Sequence, residues 1–70
     1  MEREFVMSSN LDSVGYDPDA SVLEIAFASG SVYQYSGVPR PIYLGLMSAA
    51  SKGSYHHDYI RDCFPCRKVG

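Results

Sequence analysis

The chain has 70 residues, 46% hydrophobic and 13% aromatic, and carries a formal net charge of −2. A chain of this size makes one domain that buries only about 60 to 65% of the surface exposed on unfolding, and its six tyrosines and three phenylalanines favour a compact fold over disorder. No apolar run approaches the roughly 20 residues that cross a bilayer, and the start Met1-Glu2-Arg3-Glu4 lacks the basic end and long apolar stretch of a secretory signal, so no membrane role and a cytoplasmic location are expected.

Residues 1–7 read as a loosely held start, with Phe5 and Met7 in position to extend a first strand. Leu11 to Tyr16 is strand-like, with Val14 and Tyr16 on one face and Gly15 leaving the other face bare between them. Asp17-Pro18-Asp19-Ala20-Ser21 is a dense turn signal, in which proline sets φ and the aspartates can cap local amides. Leu23, Ile25 and Phe27 then alternate along a second strand, and a Ser29-Gly30 turn leads into Tyr33 and Tyr35.

Two registers are open for this hairpin. With an Ala28-Ser29-Gly30 loop, Gly30 takes the left-handed conformation, Phe27 faces Ser31, and both tyrosines join the Leu23-Ile25-Phe27 face. With a Ser29-Gly30 loop the pairing slips by one, and the tyrosines lie beside Glu24 and Ala26 in water as a stacking platform. Burial favours the first, because it gathers five large side chains on one face, each worth roughly 1.5 to 3 kcal/mol when buried. Both hydroxyls are then expected to reach water or a backbone carbonyl at the sheet edge.

Ser36-Gly37-Val38-Pro39 ends the sheet, and Pro39 and Pro41 suit the first turn of a helix, where amides lack intrahelical acceptors. Ile42, Tyr43, Leu46, Met47 and Ala50 follow a helical stripe. Ser51 can cap a second helix with the apolar set Tyr55, Tyr59, Ile60, Cys63 and Phe64, stopped by Pro65. The predicted fold is α+β: a three-stranded antiparallel β-meander with one face covered by a C-terminal helical hairpin, in the order β-β-β-α-α. Residues 67–70 follow as a tail, and the segment from Cys66 to Gly70 is placed to pair with a sheet edge.

The order of these features resembles the KTSC domain family. The residues that carry the likeness are Ser8-Ser9-Asn10 before Val14-Gly15-Tyr16-Asp17, the Leu23-x-Ile25-x-Phe27 strand, Ser29-Gly30, Tyr33-x-Tyr35, Val38-Pro39, and Ser51-Lys52-Gly53 before Tyr55 and Ile60-Arg61. The resemblance covers residues 8–66 as a single domain, and Tyr33 and Tyr35 match its central tyrosine pair in a structural role. The family occurs at the C-terminus of some lysyl-tRNA synthetases and as small stand-alone bacterial and phage proteins. The synthetase connection implies RNA binding. Cys63 and Cys66 depart from its usual pattern, which often has an aromatic at the second position.

Charge divides the chain unevenly. Residues 1–35 carry −5 and residues 36–70 carry +3, a distribution that suits an anionic partner on the second half and equally suits ordinary solvated faces. Ser51, Lys52, Gly53 and Ser54 at the second helix start offer free amides, the positive dipole end and a lysine, which fit a phosphate; the plainer alternative is a helix cap. Arg61, Arg67 and Lys68 extend the basic surface, and Tyr43 or Tyr55 could stack on a base.

Cys63-Phe64-Pro65-Cys66 has redox spacing, but Cys63 falls at the helix C-terminus, which disfavours a thiolate. The expectation is a buried Cys63 and an incidental Cys66. His56 or His57 with both cysteines lacks a fourth zinc ligand, so no metal is assigned, and His56 is expected at a rim with His57 in solvent. No cofactor is implied, and no serine converges with a base and an acid as hydrolysis requires. The sequence therefore predicts a binding module and not an enzyme, with RNA or another polyanion met by the basic helical half. The alternative is a protein-interaction or self-association module, a homodimer included, using a free strand edge. A DNA-reading helix-turn-helix fits poorly, because Asp58 and Asp62 lie on the outward side of the second helix.

Overall fold

The computed structural model describes residues 1–70. Along them lie β1 (Glu4–Phe5), β2 (Leu11–Asp17), β3 (Val22–Phe27), β4 (Val32–Tyr35), α1 (Arg40–Ser48), α2 (Lys52–Tyr59) and β5 (Cys66–Lys68). The class is α+β, but the antiparallel sheet has five strands in chain order, where periodicity predicts three. The added strands come from the segments read as a loose start and a tail. Glu4 pairs with Val14 and Phe5 with Ser13 at one edge, while Cys66, Arg67 and Lys68 pair with Tyr35, Gln34 and Tyr33 at the other. Both strands are too short to display alternation, and backbone pairing with an open edge is what orders them.

The hairpin adopts the buried register. Leu23 faces Tyr35 and Ile25 faces Tyr33, the Phe27 amide donates to the Ser31 carbonyl at 2.8 Å, and Gly30 holds φ at +100°. A side chain at Gly30 would be strained in that conformation, which is why glycine closes this loop. On the other flank of β3, Leu11 faces Phe27, Ser13 faces Ala26 and Val14 faces Ile25, so Asp12 is the extra residue of a bulge. The bulge lets Leu11 and Val14, three apart, share the apolar face.

The opposite face is not bare, as expected at Gly15, but covered by the chain start. A Cβ on Gly15 would come within 2.6 Å of the Glu2 carbonyl oxygen. Arg3 donates from Nη1 to Glu24 Oε2 at 2.6 Å and from Nε to Ser13 Oγ at 3.1 Å, and Gln34 Nε2 donates to the second Glu24 oxygen at 2.8 Å. Glu24 is thereby buried at 6% exposure with both oxygens bonded. Burial alone raises its pKa, but the hydrogen bonds from Gln34 and Arg3 outweigh it and hold the carboxyl below the usual 4.5.

The helices close the apolar face. Pro39 caps α1 and Pro41 stands in its first turn, as their fixed φ favours. Tyr16 stacks on Tyr43 with ring centroids 4.7 Å apart and donates to the Val38 carbonyl at 2.7 Å, fixing α1 over β2. Leu46 and Ile60 are fully buried with Leu11, Val14, Leu23, Ile25, Tyr35 and Val38. Ala50 lies past the end of α1 and is exposed, and α2 stops at Tyr59 instead of continuing to Phe64. The chain leaves helical geometry at Ile60 (φ −122°), and the turn that follows carries that side chain into the core and leaves Cys63 exposed.

Candidate functional site

The principal cavity is an open cleft of about 670 Å³ between α2 and the β3–β4 hairpin, bounded on one side by the start of β2. Its aromatic wall follows from the register: the pairing that turns Tyr33 and Tyr35 toward the helices also places them beside Phe27 and beneath His56. Phe27 meets Tyr33 edge-on at 5.9 Å and His56 at 5.1 Å, and Tyr35 meets His56 at 5.6 Å. Tyr35 is 3% exposed, whereas Tyr33 is half-buried and opens toward solvent.

The Tyr35 hydroxyl and His56 Nε2 share a hydrogen bond of 2.8 Å. The hydroxyl therefore finds an imidazole, not the water or carbonyl expected from the sequence. Burial pushes the Tyr35 phenol up to about 12, with Cys66 and Tyr33 adding to the rise and Arg61 opposing it. Burial also pushes His56 below the usual 6.5, helped by the positive charge of Arg61 and by His57. Both partners are uncharged at neutral pH.

The polar rim gathers Asn10, Arg61, Asp62 and the exposed His57. Asn10 is held by its backbone, its amide donating to Ser8 Oγ at 3.2 Å and its carbonyl accepting from the Ala28 amide at 2.8 Å. Its side chain lies directly against Gly53 in the first turn of α2, where a Cβ would collide with the carboxamide.

Of the anion-binding residues named from the sequence, only Gly53 and Arg61 line this cleft. Ser51 caps α2 by accepting from the Ser54 amide at 3.3 Å, and its hydroxyl also donates to Ser54 Oγ at 3.0 Å. Lys52 donates to the Ala49 carbonyl at 3.1 Å. The helix start thus spends these groups on the chain itself. Lys68 and Arg67 face Tyr33 and Gln34 across the β4–β5 pairing, so alternation sends Lys68 to the helix side and Arg67 to the opposite face. Tyr43 stacks on Tyr16, and Tyr55 packs against Tyr59 at 4.7 Å; neither lines this cleft.

Cys63 and Cys66 are both free and exposed, which corrects the buried Cys63, and Cys66 lines the cleft beside Tyr35. No three of the His, Cys, Asp and Glu side chains converge to hold a metal ion. No helix is long and apolar enough to cross a membrane. Sequence reasoning missed Asn10 and Phe27 as site residues. The available signal was the register itself, which puts Phe27 on the tyrosine face, while nothing local joins Asn10 to Gly53.

The model of the KTSC domain matches residues 7–64. The chain is 38% identical over 61 residues to an uncharacterized protein of Stutzerimonas stutzeri, covering 87% of this chain and 86% of that one. It is 41% identical over 49 residues to a lysine–tRNA ligase of Nostoc, covering 70% of this chain but 9% of the ligase. Among solved structures, it is similar to the crystal structure of a KTSC domain protein from Yersinia pestis, with a TM-score of 0.96, 46% identity, and coverage of 99% of this chain and 97% of that one.

Proposed function

The chain belongs to the KTSC domain family, and from that membership and the cleft we propose that it is a binding module for single-stranded RNA. The observation that carries this is the aromatic wall of Phe27, Tyr33 and His56 with the Arg61 guanidinium on the same rim. Unpaired bases stack on aromatic faces and phosphates meet cations, so one cleft supplies both contacts that single-stranded nucleic acid uses. The similarity to a segment of a lysine–tRNA ligase supports an RNA partner. Lys68, on the helix side of β5, is the second cation placed to meet the backbone. With a net charge of −2 the field of the whole molecule opposes a polyanion, so binding is weak and depends on these local charges. Within this reading the Tyr35 hydroxyl and His56 Nε2 are bonded to each other and shape the cleft wall.

Fluorescence anisotropy with a short single-stranded RNA tests this. Two phosphate contacts give a slope of log affinity against log salt of about −1.4, and Arg61→Ala reduces its magnitude by about 0.7. Affinity insensitive to salt, or unchanged in Arg61→Ala, removes RNA from the account. A second possibility, a protein partner or second copy at the β1 edge, is favoured by Phe5 at 81% and Met7 at 94% exposure beside a free strand edge. Sedimentation showing a dimer, together with no RNA binding, selects it.

A further inference from the structure

We infer that the chain associates with further copies of itself through both of its free sheet edges, β1 of one copy meeting β5 of the next. This gives the second-copy reading above its two surfaces and does not involve the cleft. The sheet runs β1-β2-β3-β4-β5 with no strand beyond either end, so each edge presents unpaired backbone groups. The edges are oppositely charged. Glu2 and Glu4 mark the β1 side, Arg67 and Lys68 lie in β5, and all four residues are exposed. Neither Glu4 nor Lys68 has an ion-pair partner within the chain. The uneven charge of the two halves of the sequence thus becomes a separation across the width of the sheet.

Charges on an edge strand ordinarily prevent pairing. Here that protection holds only between like edges: β1 against β1 brings acid to acid and β5 against β5 gathers Arg67 and Lys68, whereas β1 against β5 sets opposite charges side by side. Strand direction and side-chain alternation agree with this choice. In an antiparallel sheet of five the first and last strands run the same way, so a copy set alongside with its helices on the same side adds β1 parallel to β5. Glu4 faces Val14 and Lys68 faces Tyr33, which puts both on the helix side, and they lie directly opposite on strands about 4.8 Å apart. In that register Phe5 at 81% and Val69 at 44% exposure meet on the other face, covering apolar surface that the isolated chain leaves in water. Arg3 comes opposite Arg67 there, but its charge is already balanced by Glu24 at 2.6 Å. Two short strands make few contacts, so the association is weak, and because it joins unlike surfaces it continues past the dimer.

Sedimentation velocity from micromolar to millimolar chain, with the exposed cysteines kept reduced, tests the assignment. The weight-average mass is expected to rise with concentration beyond that of a dimer. Glu4→Lys alone and Lys68→Glu alone each hold the chain monomeric, because each makes its two edges alike in charge. An equimolar mixture of the two variants associates again, since the altered edge of each complements the altered edge of the other. Both positions are exposed, and circular dichroism confirms that the variants fold. A chain that stays monomeric at every concentration leaves the edges to another protein or to none and overturns the proposal. Assembly that stops at a dimer overturns it too, leaving a second copy at the β1 edge alone. Assembly that survives in either variant, or a mixture that stays monomeric, removes the pairing of Glu4 with Lys68 and the proposal with it. The RNA titrations run at dilutions where the chain is monomeric, so neither result decides the other.

Discussion

Tyr35 shows how one side chain serves the core and the cleft together. Its ring lies among Leu23, Val38 and Ile60 in the buried cluster, while its hydroxyl is satisfied by His56 at the cleft wall. An aromatic at this strand position was legible from alternation, but its partner was not, because no local pattern joins residues 21 apart in the chain. A still longer separation hid the contact of Asn10 with Gly53. A pH dependence follows from His56. Its folded pKa lies below the unfolded 6.5, so the unfolded chain binds more protons as the solution acidifies, and stability is complete above about 6.5 and falls as pH drops below it. Urea midpoints should therefore decline from pH 7.5 to pH 5, and His56→Gln should flatten that decline. The Glu24 contribution is present above 4.5 and is lost only on further acidification. An equal decline in His56→Gln would show that His56 is not its source.

At the scale of elements, the central hairpin was readable because burial and turn chemistry agree on one register, with Phe27 facing Ser31 across Gly30. Of the two edges, the pairing of the segment from Cys66 to Gly70 was expected and is found in β5, whereas the pairing of β1 was not legible. Glu4 and Phe5 carry no alternating pattern, and β1 exists because β2 offers an unpaired edge and Gly15 lets the preceding residues cross close to its backbone. The crossing then delivers Arg3 to Glu24 and Ser13. Glycine here is required by space, not by backbone conformation. Gly15→Ala should push the Glu2 carbonyl away and weaken the Arg3 contacts, at a cost of about 1 to 3 kcal/mol. Denaturation should show the loss, and amide exchange should show Phe5 and Val6 opening first. Unaltered exchange at these residues would mean that the chain start does not depend on that approach. The end of α2 was misjudged for a related reason: Cys63 and Phe64 continue its apolar spacing, yet the helix stops where the backbone turns Ile60 into the core.

For the molecule as a whole, a domain of 70 residues has a total stability of about 4 to 10 kcal/mol, so single core positions matter greatly. Leu46 of α1 and Ile60, in the turn that ends α2, enter the core completely, and they fasten the helical half to the sheet. Ile60→Ala should cost about 2 to 5 kcal/mol, enough to leave the domain marginal, and a lowered thermal midpoint is the measurement that checks it. A fall below about 1 kcal/mol would place the fastening elsewhere. The basic second half suggested one charged surface, but the sheet divides it: Arg67 and Lys68 alternate across β5, and Lys52 bonds back to Ala49. Fold class, hairpin register, helix starts and the tyrosine face are local properties, carried by alternation, turn residues and caps within a few positions of one another. The β1 edge, the covered second face and the assembly of Asn10, His56 and Arg61 around the tyrosines depend on segments distant in sequence, whose proximity arises only when burial of the shared core packs sheet against helices.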